Sequence, residues 1–105
     1  MNSSVVPIAV LLGMLGGHAH AAGDAAAGQV KAATCMGCHG VAGWRNASPP
    51  YRVPKLGGQH AEYIVSALKA YKAGQRPHPT MHAQAATMSE QDMADIAAYF
   101  AGAGN

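Results

Sequence analysis

Three stretches of the chain carry an apolar stripe at helical spacing, and one carries an unbroken apolar run. The run comes first: residues 5–17 are uncharged and largely apolar, 13 residues in all, well short of the roughly 20 that a spanning helix needs. In 25–34 the inner stripe is Ala26, Val30 and Ala33, preceded by Asp24 as N-cap and interrupted by Gly28, a residue that costs helix stability and marks close backbone packing. In 59–73 the apolar residues Ala61, Ile64, Val65, Leu68 and Tyr71 fall at i, i+3, i+4, i+7 and i+10, with Gly74 as the stop. In 89–102 Ser89 and Asp92 form a capping box ahead of Met93, Ile96, Ala97 and Phe100. Between these, 37–58 holds Gly37, Gly40, Gly43, Pro49, Pro50, Pro54, Gly57 and Gly58, which predicts a long ordered loop. A second loop, 75–88, is marked by Pro77 and Pro79 and contains Met81. Sustained period-two alternation is absent, so the predicted fold class is all-α with loops.

The initial run reads as the core of an export signal. Small residues at Ala19 and Ala21 place the cleavage after Ala21, although Met1–Ser4 has no Lys or Arg to complete the usual pattern. On this reading residues 1–21 are a signal peptide, residues 22–105 form one exported domain, periplasmic in location, and no membrane span remains in the mature chain. That leaves 84 residues, a size at which a cofactor, metal or disulfide commonly supplements the core. With one Phe and one Trp in the whole chain, large apolar side chains are scarce. A formal charge of +2 is too small and too little clustered for a nucleic-acid partner, where many phosphates must be neutralised. The seven basic residues all lie in 31–76, while Glu90, Asp92 and Asp95 crowd one short stretch, so the surface charge is expected to be polarised.

The chemistry sits at Cys35-Met36-Gly37-Cys38-His39. In a C-x-x-C-H arrangement two thiols add to the vinyl groups of haem, and the adjacent imidazole reaches the iron. Rival readings fit less well. A thioredoxin-like pair needs a βαβ setting, a zinc knuckle needs four ligands at closed spacing, and a plain disulfide leaves His39 without a role. A covalent haem c would also fill the middle of a domain poor in large side chains. Its iron needs a sixth ligand, for which the mature chain offers Met36, Met81, Met88, Met93, His60, His78 and His82. Position argues against Met36, inside the attachment motif, Met93, on an apolar stripe, and His60, at a helix start. Met81 and Met88 remain, with His78 and His82 as rivals in the same loop.

Four signatures in order resemble the class I c-type cytochromes, in particular small bacterial monohaem proteins and the single-haem halves of bacterial dihaem cytochromes c. They are Gly23-Asp24-Ala25-Ala26-Ala27-Gly28, the haem motif itself, Pro54-Lys55-Leu56-Gly57-Gly58-Gln59-His60, and Met81 followed by Met88-Ser89-Glu90-Gln91-Asp92 and Ile96-Ala97-Ala98-Tyr99-Phe100. The resemblance spans 23–101 and implies a cytochrome c fold, three or more helices and long loops wrapped around one covalent haem. It implies that Met81 is the axial methionine, seven residues ahead of Met88. It further implies that the Pro54 carbonyl accepts a hydrogen bond from the haem-ligating His39, that Leu56 packs on the haem, and that Gly28 lies where the first and last helices cross, beneath Tyr99 or Phe100. The cofactor-binding set is then Cys35, Cys38, His39, Pro54, Leu56 and Met81, with His39 and Met81 on the metal.

The expected activity is one-electron carriage, not enzymatic turnover, between redox protein partners such as a membrane-bound reductase or terminal oxidase. The alternative is a haem protein that binds a ligand, acting as a sensor or peroxidase through an open sixth site. Arg45, Arg52 and Lys55 are open to three roles: propionate partners, a docking face, or solvated side chains.

Overall fold

The computed structural model describes residues 23–103, so the export signal read at 1–21 lies outside the described residues. Asp24 caps the first helix, α1 (Ala25–Lys31), its carboxylate accepting the N–H groups of Ala26 and Ala27 at 2.9 and 3.3 Å. The helix expected to continue to Thr34 breaks at Ala32. That residue is fully buried and turns the chain with ψ near 1°, keeping its N–H on the Gly28 carbonyl at 2.8 Å. Helical geometry resumes at once in α2 (Ala33–His39), which runs through the cysteine motif. Alanine suits the break because a larger side chain would have to be seated within the core.

The predicted loop over 37–58 is more structured than its glycines and prolines imply. After α2, strands β1 (Arg45–Ala47) and β2 (Pro50–Arg52) pair antiparallel, Arg45 opposite Arg52 and Asn46 opposite Tyr51. The turn is tied by Asn46, whose side-chain amide donates to the Pro49 carbonyl at 2.7 Å. With only three residues a side, and Pro50 at the strand start where its missing N–H is tolerated, this ribbon is too short to show an alternating pattern in sequence. The described residues are therefore mostly helical with one small sheet.

The next helix, α3 (Ala61–Lys72), has the expected stripe: Ile64 and Leu68 are buried, and Ala61, Val65 and Tyr71 pack half-buried beside them. The second loop contains a further helix, α4 (Pro79–Ala85), with proline in its first turn and Ala85 buried. The last helix, α5 (Glu90–Gly102), opens on both bonds of the capping box: Asp92 N–H donates to Ser89 Oγ at 3.0 Å, and Ser89 N–H to the Asp92 carboxylate at 2.9 Å. Met93, Ile96, Ala97 and Phe100 are all buried, and with Ala32, Ile64, Leu68, Ala85 and Met88 they form the core. Three of those nine are alanines, so the core is thin. Cys35, Leu56, Val65, Tyr71, Met81 and Tyr99 pack half-buried at its rim.

Helices α1 and α5 cross with their backbones in close contact. A Cβ at Gly28 would stand 1.9 Å from the Asp95 carbonyl oxygen and 3.0 Å from Tyr99 Cβ, and one at Gly23 would stand 2.0 Å from the Ala94 carbonyl oxygen. Tyr99 is thus a neighbour as expected, but the nearer obstacle is backbone. At the same crossing sits Asp95, only 3% exposed. The sequence pattern groups it with surface acids; instead its carboxylate accepts from Asp24 N–H at 2.8 Å, Lys31 Nζ at 2.6 Å and Gln91 Nε2 at 2.8 Å. Those donors, the Asp24 N–H foremost and then Lys31, hold its pKa at about 2, below the ordinary 3.8.

This network sets a pH dependence. The unfolded chain protonates Asp95 near its ordinary value while the folded chain resists until about 2. The stabilisation is fully present above about pH 4 and disappears as pH falls from there to about 2. Asp95→Asn is expected to be less stable than wild type at pH 7 and to converge with it across that window, as read from denaturant midpoints at successive pH values. A stability gap that stays constant down to pH 2 would show the charge to be irrelevant.

Candidate functional site

Helix α2 presents Cys35, Cys38 and His39 at i, i+3 and i+4, spacings that lie on one face of a helix. Both thiols are free, Cys35 half-buried and Cys38 exposed. Burial pushes the Cys35 thiol pKa up, an effect the Thr34 hydroxyl partly opposes. His39 Nδ1–H donates to the Pro54 carbonyl at 2.6 Å. That bond fixes the ring and the tautomer, and Nε2 becomes the nitrogen with a lone pair to offer.

The chain reaches Pro54 by way of the hairpin. Val53 N–H donates to the Trp44 carbonyl at 3.0 Å, closing the ribbon one step before Pro54. Two residues further on, Leu56 packs against the core, and the segment is held to α5 by Gly58 N–H on the Phe100 carbonyl at 2.9 Å.

Met81 is in α4, not in a loop. His78 is the N-cap of that helix: its Nδ1 accepts the Met81 N–H at 3.2 Å. One residue on, His82 Nδ1–H donates to the Tyr71 carbonyl of α3 at 2.8 Å. Both histidines flanking Met81 therefore use one ring nitrogen in holding α4. The other sulfur candidates are placed differently. Met93 and Met88 are 1% and 9% exposed within the core, and Met36 is 40% exposed on α2 itself. His60 caps α3 from an exposed position. Met81 is half-buried at the rim of the core, as are Cys35 and Leu56.

These side chains fit a covalent haem. Two unpaired thiols and an imidazole share one helix face, the imidazole is oriented by a carbonyl, and a thioether and a leucine pack on the same core. Among the described residues no three His, Cys, Asp or Glu side chains gather into a cage for a bare metal ion. Among the aromatic side chains, Trp44 and Tyr63 are 41% and 54% exposed, while Tyr71 packs on the core. Tyr51 does neither. Its hydroxyl lies 3.1 Å from Thr80 Oγ1, and its ring meets His78 edge-on with centroids 4.7 Å apart. Nothing in the sequence pattern joins Tyr51 to α4, since the two are separated by the whole of α3.

The comparisons with known proteins agree with this chemistry. The family model described as Cytochrome c matches residues 25–103. The chain is 48% identical to cytochrome c4 of Pseudomonas aeruginosa over 96% of its own length and 48% of that protein's. It is also 48% identical to cytochrome c-554(548) of Halomonas halodenitrificans, over 75% of the chain and 95% of the relative. The chain spans about half the length of the cytochrome c4 relatives. In structure it is similar to cytochrome c4 of Acidithiobacillus ferrooxidans, with a TM-score of 0.56 at 30% identity, over 78% of the chain and 52% of that one. The helices therefore adopt the cytochrome c fold, and the chain belongs to the cytochrome c family, with covalently bound haem c as its cofactor.

Proposed function

We propose that the chain is a one-electron carrier of the periplasm. Cys35 and Cys38 would hold the haem through thioether bonds, and His39 and Met81 would ligate its iron. When bound, the group supplies an Fe(III)/Fe(II) couple. The residues around it supply attachment, ligation and rigidity. The observation that carries the reading is the His39–Pro54 hydrogen bond of 2.6 Å: a histidine whose Nδ1–H is already committed is oriented to give Nε2 to a metal. Cys35 and Cys38 on the same helix face put the attachment points beside it. Met81 gains support from its half-buried place at the rim of the core, where Met88 and Met93 are enclosed in the interior.

A thioether on the sixth position favours the ferrous state and raises the potential, which suits electron exchange and closes the iron to outside ligands. Leu56, half-buried on the same core as Met81, would pack beside the group. The carrier reading accordingly assigns no enzymatic step to the chain, and its partners are redox proteins such as a membrane-bound reductase or terminal oxidase. Residues 1–21 act as the export signal in this reading. Among the described residues no helix is long and apolar enough to cross a membrane.

Carbon monoxide separates the carrier from a ligand-binding haem protein. Absorption spectra of the oxidised and reduced holoprotein should be those of six-coordinate low-spin iron, and mixing the reduced form with carbon monoxide should leave them unchanged. Rapid formation of a carbon monoxide adduct would replace the carrier reading with an open-site one.

A further inference from the structure

We propose that Tyr51 is a positioning residue for Met81, holding the sixth ligand on the iron through Thr80 and His78. The proposal rests on the reading that Met81 ligates the iron.

Helix α4 has seven residues, too few to be stable without tertiary contacts, so whatever touches it decides where Met81 stands. Its α3 side is held by His82 on the Tyr71 carbonyl. Its start is held by Tyr51, which reaches both residues that define Met81's backbone. The Tyr51 hydroxyl lies 3.1 Å from Oγ1 of Thr80, the residue immediately before Met81. The Tyr51 ring stands at 78° to that of His78, the residue that accepts the Met81 N–H. Tyr71 adds a second, more distant edge to His78 at 6.0 Å.

The same hairpin strand leads within three residues to Pro54, the carbonyl that orients His39. One short ribbon therefore touches both segments that carry axial ligands, His39 through Pro54 and Met81 through Tyr51. A ribbon so anchored works as a strap: release of the Tyr51 end frees α4 to carry Met81 away while His39 stays fixed.

Exogenous imidazole reads this out, because it binds the ferric iron only when Met81 leaves. The ferric holoprotein is titrated with imidazole and followed by absorption. Tyr51→Phe, which keeps the ring edge but lacks the hydroxyl, is expected to raise imidazole affinity about five-fold, the equivalent of the roughly 1 kcal/mol net contribution of one hydrogen bond. Thr80→Val should do the same. The double variant should exceed neither, since both remove one shared bond. Gln91→Ala, which weakens the Asp95 network at the α1–α5 crossing, should lower the melting temperature without changing imidazole affinity. Wild-type affinity in Tyr51→Phe, or effects of the two substitutions that multiply in the double variant, would overturn the proposal. So would an equal rise in Gln91→Ala, which would mark the effect as general loosening. Met81→Ala serves as reference and should bind imidazole far more tightly than any of these; if it matches wild type, the Met81 assignment fails and the proposal falls with it, whatever Tyr51→Phe shows.

Discussion

Gly28→Ala should cost the folded protein about 2–3 kcal/mol or more, lowering Tm by about 10–20 °C. The added Cβ would stand 1.9 Å from the Asp95 carbonyl oxygen and 2.5 Å from its carbonyl carbon, far inside contact distance. Neither atom is the end of a side chain that could rotate aside, so α1 and α5 must move apart by more than an ångström. That separation would stretch the bonds from Asp24 N–H and Lys31 to Asp95, now 2.8 and 2.6 Å, and open the core beneath Ala32. Gly102→Ala is the matched control. Nothing lies within 4 Å of a Cβ there, and alanine is the better helix former, so its melting temperature should be unchanged or slightly higher. The check is thermal unfolding of the two holoproteins by far-ultraviolet circular dichroism. Equal melting temperatures would mean that the crossing is looser than its geometry implies.

The contrast between those glycines shows what a sequence pattern can and cannot convey. Helices α3 and α5 were legible because each is long enough for several repeats of its stripe, and α5 also has a capping box whose two bonds need only Ser89 and Asp92. The attachment motif was legible because its spacing is itself the chemistry. Helix α4 was not, since seven residues cannot display a period, its N-cap is a histidine where Ser, Thr, Asp or Asn is the usual signal, and Pro79 reads as a breaker although it is tolerated in a first turn. The hairpin escaped for the same reason of length. The break at Ala32 follows from burial, a tertiary property that the apolar stripe of 25–34 does not encode.

Asp95 was misread for a different cause. It sits between Met93 and Ile96, inside the apolar stripe, and a carboxylate at such a position calls for partners; counting it with Glu90 and Asp92 as surface charge concealed that anomaly. Gln91 is a partner one turn away, but the other two come from 64 and 71 residues away, beyond any local signal. The Tyr51–Thr80 contact is likewise created by the fold alone. Of the candidate site, then, the residue types were readable, and the resemblance also pointed to the Pro54 carbonyl beside His39, whereas the contacts that hold α4 were not readable.

Met81→Ala should convert the ferric iron from low-spin to high-spin and lower the reduction potential by on the order of 100 mV or more, a fraction of the roughly 0.8 V that axial ligation spans. The reduced variant should bind carbon monoxide. On the proposed ligation the cause is removal of a thioether that stabilises Fe(II), with little loss of packing, because Met81 is half-buried at the rim and is not enclosed by the core. Met88→Ala provides the opposite test. Met88 is 9% exposed within the core, so its truncation leaves a cavity and should cost about 2–5 kcal/mol of stability, while the spectrum stays low-spin and closed to carbon monoxide. The two methionines are thus expected to separate cleanly, one moving the spectrum and potential, the other the melting curve. A third outcome is informative as well: a Met81→Ala protein that remains low-spin at a lowered potential has captured a neighbouring histidine. Adding His82→Ala to that background should then release high-spin iron, since His82 keeps Nε2 available while Nδ1 holds the Tyr71 carbonyl. If Met88→Ala gives high-spin iron and Met81→Ala leaves both spectrum and potential at wild type, the sixth ligand is Met88, and the site must be rebuilt around the turn between α4 and α5.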